Sequence, residues 1–268
     1  FAPLKNGAAS SWYDEAGNAV EAGTYYTQIP NGTVSGTVFT AGTTESAVRA
    51  VTADGEKIAA VDGVYTIPAG GRVMTGDEVL FTVPMGVAHI SIPEAKAEDL
   101  TLSDTGAIAA IDGMTLSLPD GSTAASLTKS GHCGKTENDL VYFAATAEYK
   151  VVISGRGSMK DYPGYNSANP FGYTVQEVVI TEGVTSVGEW AFYGKACTSV
   201  ILPDGLLKIG AHAFDGCSSI TSIVIPDSVI TVGVDAFKGC SKIERIDFPA
   251  GMTAVPASLF SSGIPTHL

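Results

Sequence analysis

The side chains best suited to nucleophilic, acid–base or metal chemistry are four histidines and four cysteines, and their spacing argues against all three. His89, His132, His212 and His267 stand far apart, Cys133, Cys197, Cys217 and Cys240 form no C-x-x-C pair, and neither H-E-x-x-H nor G-x-S-x-G occurs. Catalysis needs a nucleophile, a base and an orienting group brought together, or a metal cage. The reading is therefore of a non-enzymatic chain without metal or cofactor. Gly134-Lys135-Thr136 has the ending of a phosphate-binding loop, but Lys129 stands where that loop places its first glycine. Gly155-Arg156-Gly157 lacks a third glycine and reads as a turn, and the aspartates between 54 and 112 lack the spacing of a calcium loop.

Binding is the chemistry left, and the elements that must carry it repeat. From Val175 to about Gly263 the chain reads VTSVGEWAF, LLKIGAHAF, VITVGVDAF and MTAVPASLF at steps of 22 to 23 residues. Phe192, Phe214, Phe237 and Phe260 share one column, Gly188, Gly210 and Gly233 a second, and Pro203, Pro226 and Pro249 a third. So short a period means a solenoid, because one unit cannot bury its own apolar face and must stack on the next. Strand alternation puts Val178 and Ile180, Val200 and Leu202, Ile223 and Ile225, and Ile246 and Phe248 inward. The outward positions then form two ladders: Glu177, Ser199, Ser222 and Arg245, and beside it Val179, Ile201, Val224 and Asp247. Three aliphatic residues in a row on an exposed sheet mark a contact site; the competing reading is that β-branched residues simply favour strands.

Cys217 and Cys240 occupy one column, where parallel Cβ directions are wrong for a bridge, so they read as buried small hydrophobes. Cys197 falls in the column of Ile220 and Ile243 and also reads as core, while Cys133 stands apart as a free thiol.

Residues 131–264 resemble the BspA-like, or Treponema pallidum-type, leucine-rich repeats of bacterial surface proteins. The likeness rests on the Cys133-Gly134 opening, the run Ile153-Ser154-Gly155-Arg156-Gly157-Ser158-Met159-Lys160-Asp161-Tyr162, and coils of the form I-x-I-P-x-x-V-x-x-I-G-x-x-A-F-x-G-C. Lys195 replaces the expected Cys, Thr181 the Pro, Pro256 the Gly, and Ser261-Ser262 the Gly-Cys. The resemblance implies adhesion to protein or glycan partners on host or bacterial surfaces. Two alternatives stay open: a structural spacer, including self-association through the C-terminal coil, and an enzyme acting on cell-wall or glycan substrates.

Ahead of the solenoid, residues 24–127 run as short alternating segments with a turn every eight to twelve residues, the pattern of an antiparallel β-sandwich. Trp12-Tyr13 and Ala19-Val20 flank a hairpin turn within 1–30, a segment that reads as an arm or as the first strands of the sandwich. Ile58 to Gly63 recurs as Ile108 to Gly113, which fits either a duplicated hairpin in one sandwich or two small β modules. Similarity here is to the broad class of bacterial Ig-like modules. The expected fold is thus mainly β: a sandwich over 1–129, then a solenoid over 130–268 with a β-hairpin cap at 130–174 and coils at 175–264.

A formal charge of −13 without a basic stripe excludes nucleic acid and anionic membranes as partners. No run approaches the roughly 18 apolar residues of a spanning helix. The chain opens at Phe1 rather than Met, which fits a removed signal peptide or a cut chain; the expectation is an extracellular or cell-surface protein.

Overall fold

A computed structural model of the chain describes residues 48–94, 114–164, 169–172, 174–249 and 252, together with the backbone of four short strands before them. Those strands form two antiparallel hairpins, β1 (Trp12–Tyr13) with β2 (Ala19–Val20) and β3 (Gly32–Ser35) with β4 (Val38–Ala41). The first is the hairpin expected from the sequence. Every described element is a strand.

Two four-stranded antiparallel sheets follow. One contains β5 (Val48–Val51), β6 (Lys57–Ile58), β8 (Arg72–Thr75) and β9 (Glu78–Thr82), in the order β6-β5-β8-β9. The other contains β7 (Val64–Pro68), β10 (His89–Pro93), β11 (Thr115–Ser117) and β12 (Thr123–Ala124), in the order β12-β11-β10-β7. Alternation along β10 buries Ile90 and Ile92 and leaves His89 and Ser91 half-buried. Val48, Ala50 and Val73 of the first sheet share one core with Ile67, Ile90, Ile92 and Leu116 of the second, which makes the pair a sandwich.

Asp62 and Gly63 both take positive φ, 51° and 75°, and close a tight turn between Val61 and Val64, as an Asp-Gly pair between apolar runs predicts. The echo at 108–113 lies outside the described residues. The strand after it, β11, nevertheless pairs with β10, which also pairs with β7, the strand after the first Asp-Gly. Both echoed runs therefore lead into one sheet.

The solenoid begins with an antiparallel cap of β13 (Leu127–His132), β14 (Leu140–Thr146) and β15 (Lys150–Ser158). The expected boundary at 129/130 falls inside β13. β15 is long because it serves two sheets: Lys150 to Ile153 pair in parallel with β16 (Glu177–Ile180), and Gly157 and Ser158 with β17 (Val184–Val187). The bend between these halves needs glycine, since Gly155 and Gly157 have φ of 111° and 113° and a Cβ on Gly155 would lie 1.9 Å from the Leu140 carbonyl oxygen.

From there two parallel sheets climb the coils. One runs from β16 to β18 (Ser199–Ile201), with β20 (Ser222–Val224) beside it and β22 (Arg245–Asp247) paired to β20. The other runs from β17 through β19 (Lys208–Ile209) to β21 (Thr231–Val232). Between them Phe171, Phe192, Phe214 and Phe237 stack at centroid spacings of 5.1, 5.4 and 5.5 Å. Phe171 extends the aromatic file into the cap, one member earlier than the repeat spacing shows; Phe260 lies outside the described residues. The inward residues Val178, Ile180, Ile223, Ile225 and Ile246 are all buried in this core, with Leu202 and Phe248 packed at its margin.

Candidate binding face

The outward ladder of the first sheet keeps the register expected of it. Ala144 pairs with Val152, Val152 with Val179, and Val179 with Ile201, so these four side chains share one face, and Val224 stands beside Asp247 further along. The outward parity of Val179 is as expected, but its exposure is not. It is only 6 % exposed and packs with Ala144 and Val152 into the core of the N-terminal sandwich. The sandwich covers the cap and first coil on the very face that the coils present outward.

This covering is close. A Cβ on Gly86 would lie 2.3 Å from the Phe143 carbonyl oxygen, so the sandwich rests directly on the cap backbone. At its margin Lys150 Nζ lies 2.6 Å from Asp120 Oδ2, donates to Ser122 Oγ at 2.9 Å, and stands 3.7 Å from Glu177 Oε1. Ser122 in turn donates its N–H and its hydroxyl to Asp120 Oδ1 at 3.1 and 2.7 Å. Burial opposes charge on Asp120, but the ammonium and the two serine donors outweigh it and hold the carboxyl below its ordinary value.

Beyond the sandwich the face is open. Ile201 is 52 % exposed and Val224 63 %, flanked by exposed Ser199 and Ser222. At the far rung Arg245 Nε donates to both oxygens of Asp247, at 2.8 and 3.0 Å, so the two outward residues of β22 neutralise each other. Of the eight outward residues singled out from the sequence, Val179 is thus sealed and Glu177 is drawn into the junction. The other six lie on β18, β20 and β22.

The local sequence does not mark the covering: Val178-Val179-Ile180, Val200-Ile201-Leu202 and Ile223-Val224-Ile225 are equally unbroken apolar runs, yet Val179 is buried while Ile201 and Val224 are exposed.

The remaining chemical candidates are occupied with structure. Lys135 Nζ is 2.8 Å from Asp161 Oδ2, while the Thr136 N–H and hydroxyl donate to Asp139 Oδ2. His132 Nε2 contacts the Asp139 carbonyl oxygen at 2.7 Å, and His212 Nδ1 lies 2.8 Å from Asp215 Oδ2 with its ring stacked on Trp190. His267 lies outside the described residues. All four cysteines are free and buried. Cys217 and Cys240 donate to the carbonyl oxygens of Phe192 and Phe214, at 3.1 and 3.2 Å. Lys195, in the cysteine column, reaches back to the Gly172 carbonyl oxygen, and burial pushes its ammonium below the ordinary value. Among the described residues no group of three or more His, Cys, Asp or Glu is placed to hold a metal ion.

Fold and face together define a leucine-rich-repeat solenoid with a β-sandwich seated on its N-terminal end. Residues 169–265 match the family model described as BspA type leucine rich repeat region, in six copies, and the match is confined to that stretch. No curated protein matches the chain. Among solved structures, the T. pallidum leucine-rich repeat protein TpLRR aligns at 23 % identity over 44 % of this chain and 62 % of that one, with a TM-score of 0.32. A leucine-rich repeat protein from Eubacterium ventriosum aligns at 20 % identity over 44 % of each chain, with a TM-score of 0.31. The pneumococcal vaccine antigen PcpA aligns at 16 % identity over 47 % of this chain and 40 % of that one, with a TM-score of 0.29. The chain spans less than two thirds of the length of each.

Proposed function

We propose that the protein is a non-enzymatic binding protein of the bacterial cell surface, acting outside the cell, and that it contacts a protein partner through the uncovered part of its outer sheet. One observation carries this reading. The apolar ladder Ala144–Val152–Val179 is buried by the sandwich, and its continuation, Ile201 and Val224, is left in water. Burying each half-exposed side chain against a partner contributes about 1 kcal/mol, with the polar flanks setting orientation. The BspA-type repeats over 169–265 support the placement at a surface. None of the eight outward residues is aromatic, which favours a protein over a glycan stacked on rings.

The test is the double variant Ile201→Asp and Val224→Asp in the full chain, assayed against an array of matrix and bacterial envelope proteins. Loss of the wild-type signal with an unchanged circular dichroism spectrum is expected. Undiminished binding removes the outer sheet as the contact site. Val179 is left intact, because a carboxylate there would break the core beneath the sandwich.

A second reading, a rigid spacer in a larger surface assembly, is favoured by the close seating of Gly86 on the cap. Light scattering that shows concentration-dependent association, together with no captured partner, would favour it over the first.

A further inference from the structure

Where the sandwich stops and the open sheet begins, the two modules leave a groove of about 550 Å³. Pro119 and Asp120, on the sandwich loop between β11 and β12, form one wall; the turns that leave β16 and β18 form the other with Glu182 and Asp204; Ile201 and Leu202 line it between them. Ile201 continues the apolar ladder whose neighbouring member, Val179, the sandwich already buries.

Charge selects the occupant. Asp120 is balanced by Lys150 at 2.6 Å, but Glu182 and Asp204 are exposed and no cation is among the lining residues. Glu182 Oε1 accepts the Asp204 backbone N–H at 3.1 Å, which ties the first carboxylate to the turn that carries the second. A second copy of this chain is a poor occupant, since residues 1–130 carry 15 acidic against 6 basic residues and 131–268 carry 13 against 9.

We infer that the groove takes an extended polypeptide segment of the partner that presents a Lys or Arg beside an apolar side chain. The apolar group lies on Ile201, and the cation meets Glu182 and Asp204 at the rim. This deepens the outer-sheet reading and rests on it.

The probe is a random dodecapeptide phage library panned on the immobilised full chain, with the enriched peptide then synthesised and titrated calorimetrically. Enrichment of Lys or Arg next to apolar residues is expected, with affinity that falls as salt rises. Glu182→Lys with Asp204→Lys should weaken binding about tenfold or more, while Asp54→Lys with Glu56→Lys, the same charge change at the β5–β6 turn, should leave it unchanged. No basic-apolar enrichment, or equal losses in the two charge-reversed variants, overturns the inference. Binding that survives the Glu182 and Asp204 changes but is lost in Val224→Asp overturns the groove and leaves the outer sheet standing. Binding that survives all of these overturns both.

Discussion

Asp120 and Lys150 meet at 2.6 Å across the junction of sandwich and solenoid, with side chains only 11 % and 17 % exposed. The pair is sequestered enough that losing one partner leaves the other poorly solvated. Asp120→Asn should destabilise the protein by about 1–2 kcal/mol, read as a lower midpoint in urea. The pH dependence has a definite sign. Because the folded state holds the Asp120 carboxyl below its unfolded value, its contribution is present above the ordinary carboxylate range and is lost as pH falls through the folded value. The variant should therefore converge on the wild type in acid; a gap that widens below pH ~4 contradicts the assignment.

Gly86 is the point at which the sandwich touches the cap backbone. In Gly86→Ala the new methyl would have to displace the Phe143 carbonyl, which cannot yield without breaking the β14 ladder. Overpacking of this kind costs about 1–3 kcal/mol. The expected sign is a split thermal transition, in which the sandwich separates before the solenoid melts. A single transition at the wild-type midpoint would mean the junction is not where the modules are held.

Phe214 is fully buried between Phe192 and Phe237, with interplanar angles of 9° and 2°. Phe214→Ala removes one member of a continuous file and should cost about 3–5 kcal/mol, while Phe214→Leu should cost markedly less. Equal losses in the two variants would show that volume is irrelevant and that the ring itself is required.

The four thiols should be silent in the folded protein. Burial pushes Cys133 and Cys240 up to about 12, while the side-chain contact with Cys197, followed by burial, raises Cys217 well above its ordinary value. At pH 8 an aromatic disulfide reagent should label no cysteine in native protein and all four after guanidinium is added. Rapid labelling without denaturant would contradict this burial.

The repeat columns made the solenoid legible from the chain alone, because each records a local need that recurs at every coil. Phe at one position fills the core; Gly210 and Gly233 allow backbone to lie on backbone, a Cβ on Gly233 standing 2.4 Å from the Ala211 nitrogen. The inward and outward parity of β16, β18, β20 and β22 followed from alternation and holds in the structure. Val179 escaped that logic. Its burial depends on the docking of a sandwich whose core holds Val48, Val83 and Leu116, residues far away in sequence, and no local period encodes such docking. Lys195 shows the opposite lesson: a break in a column was visible, but only the structure shows the lysine reaching the Gly172 carbonyl, one coil back, as Cys217 and Cys240 reach the carbonyls of Phe192 and Phe214.

Beyond the cap the phenyl rings lie almost parallel, whereas Phe171 and Phe192 are tilted by 21°. Ring follows ring in the coils at about 5.5 Å with little change of plane, so duplicating a coil would lengthen the buried aromatic file by one like step.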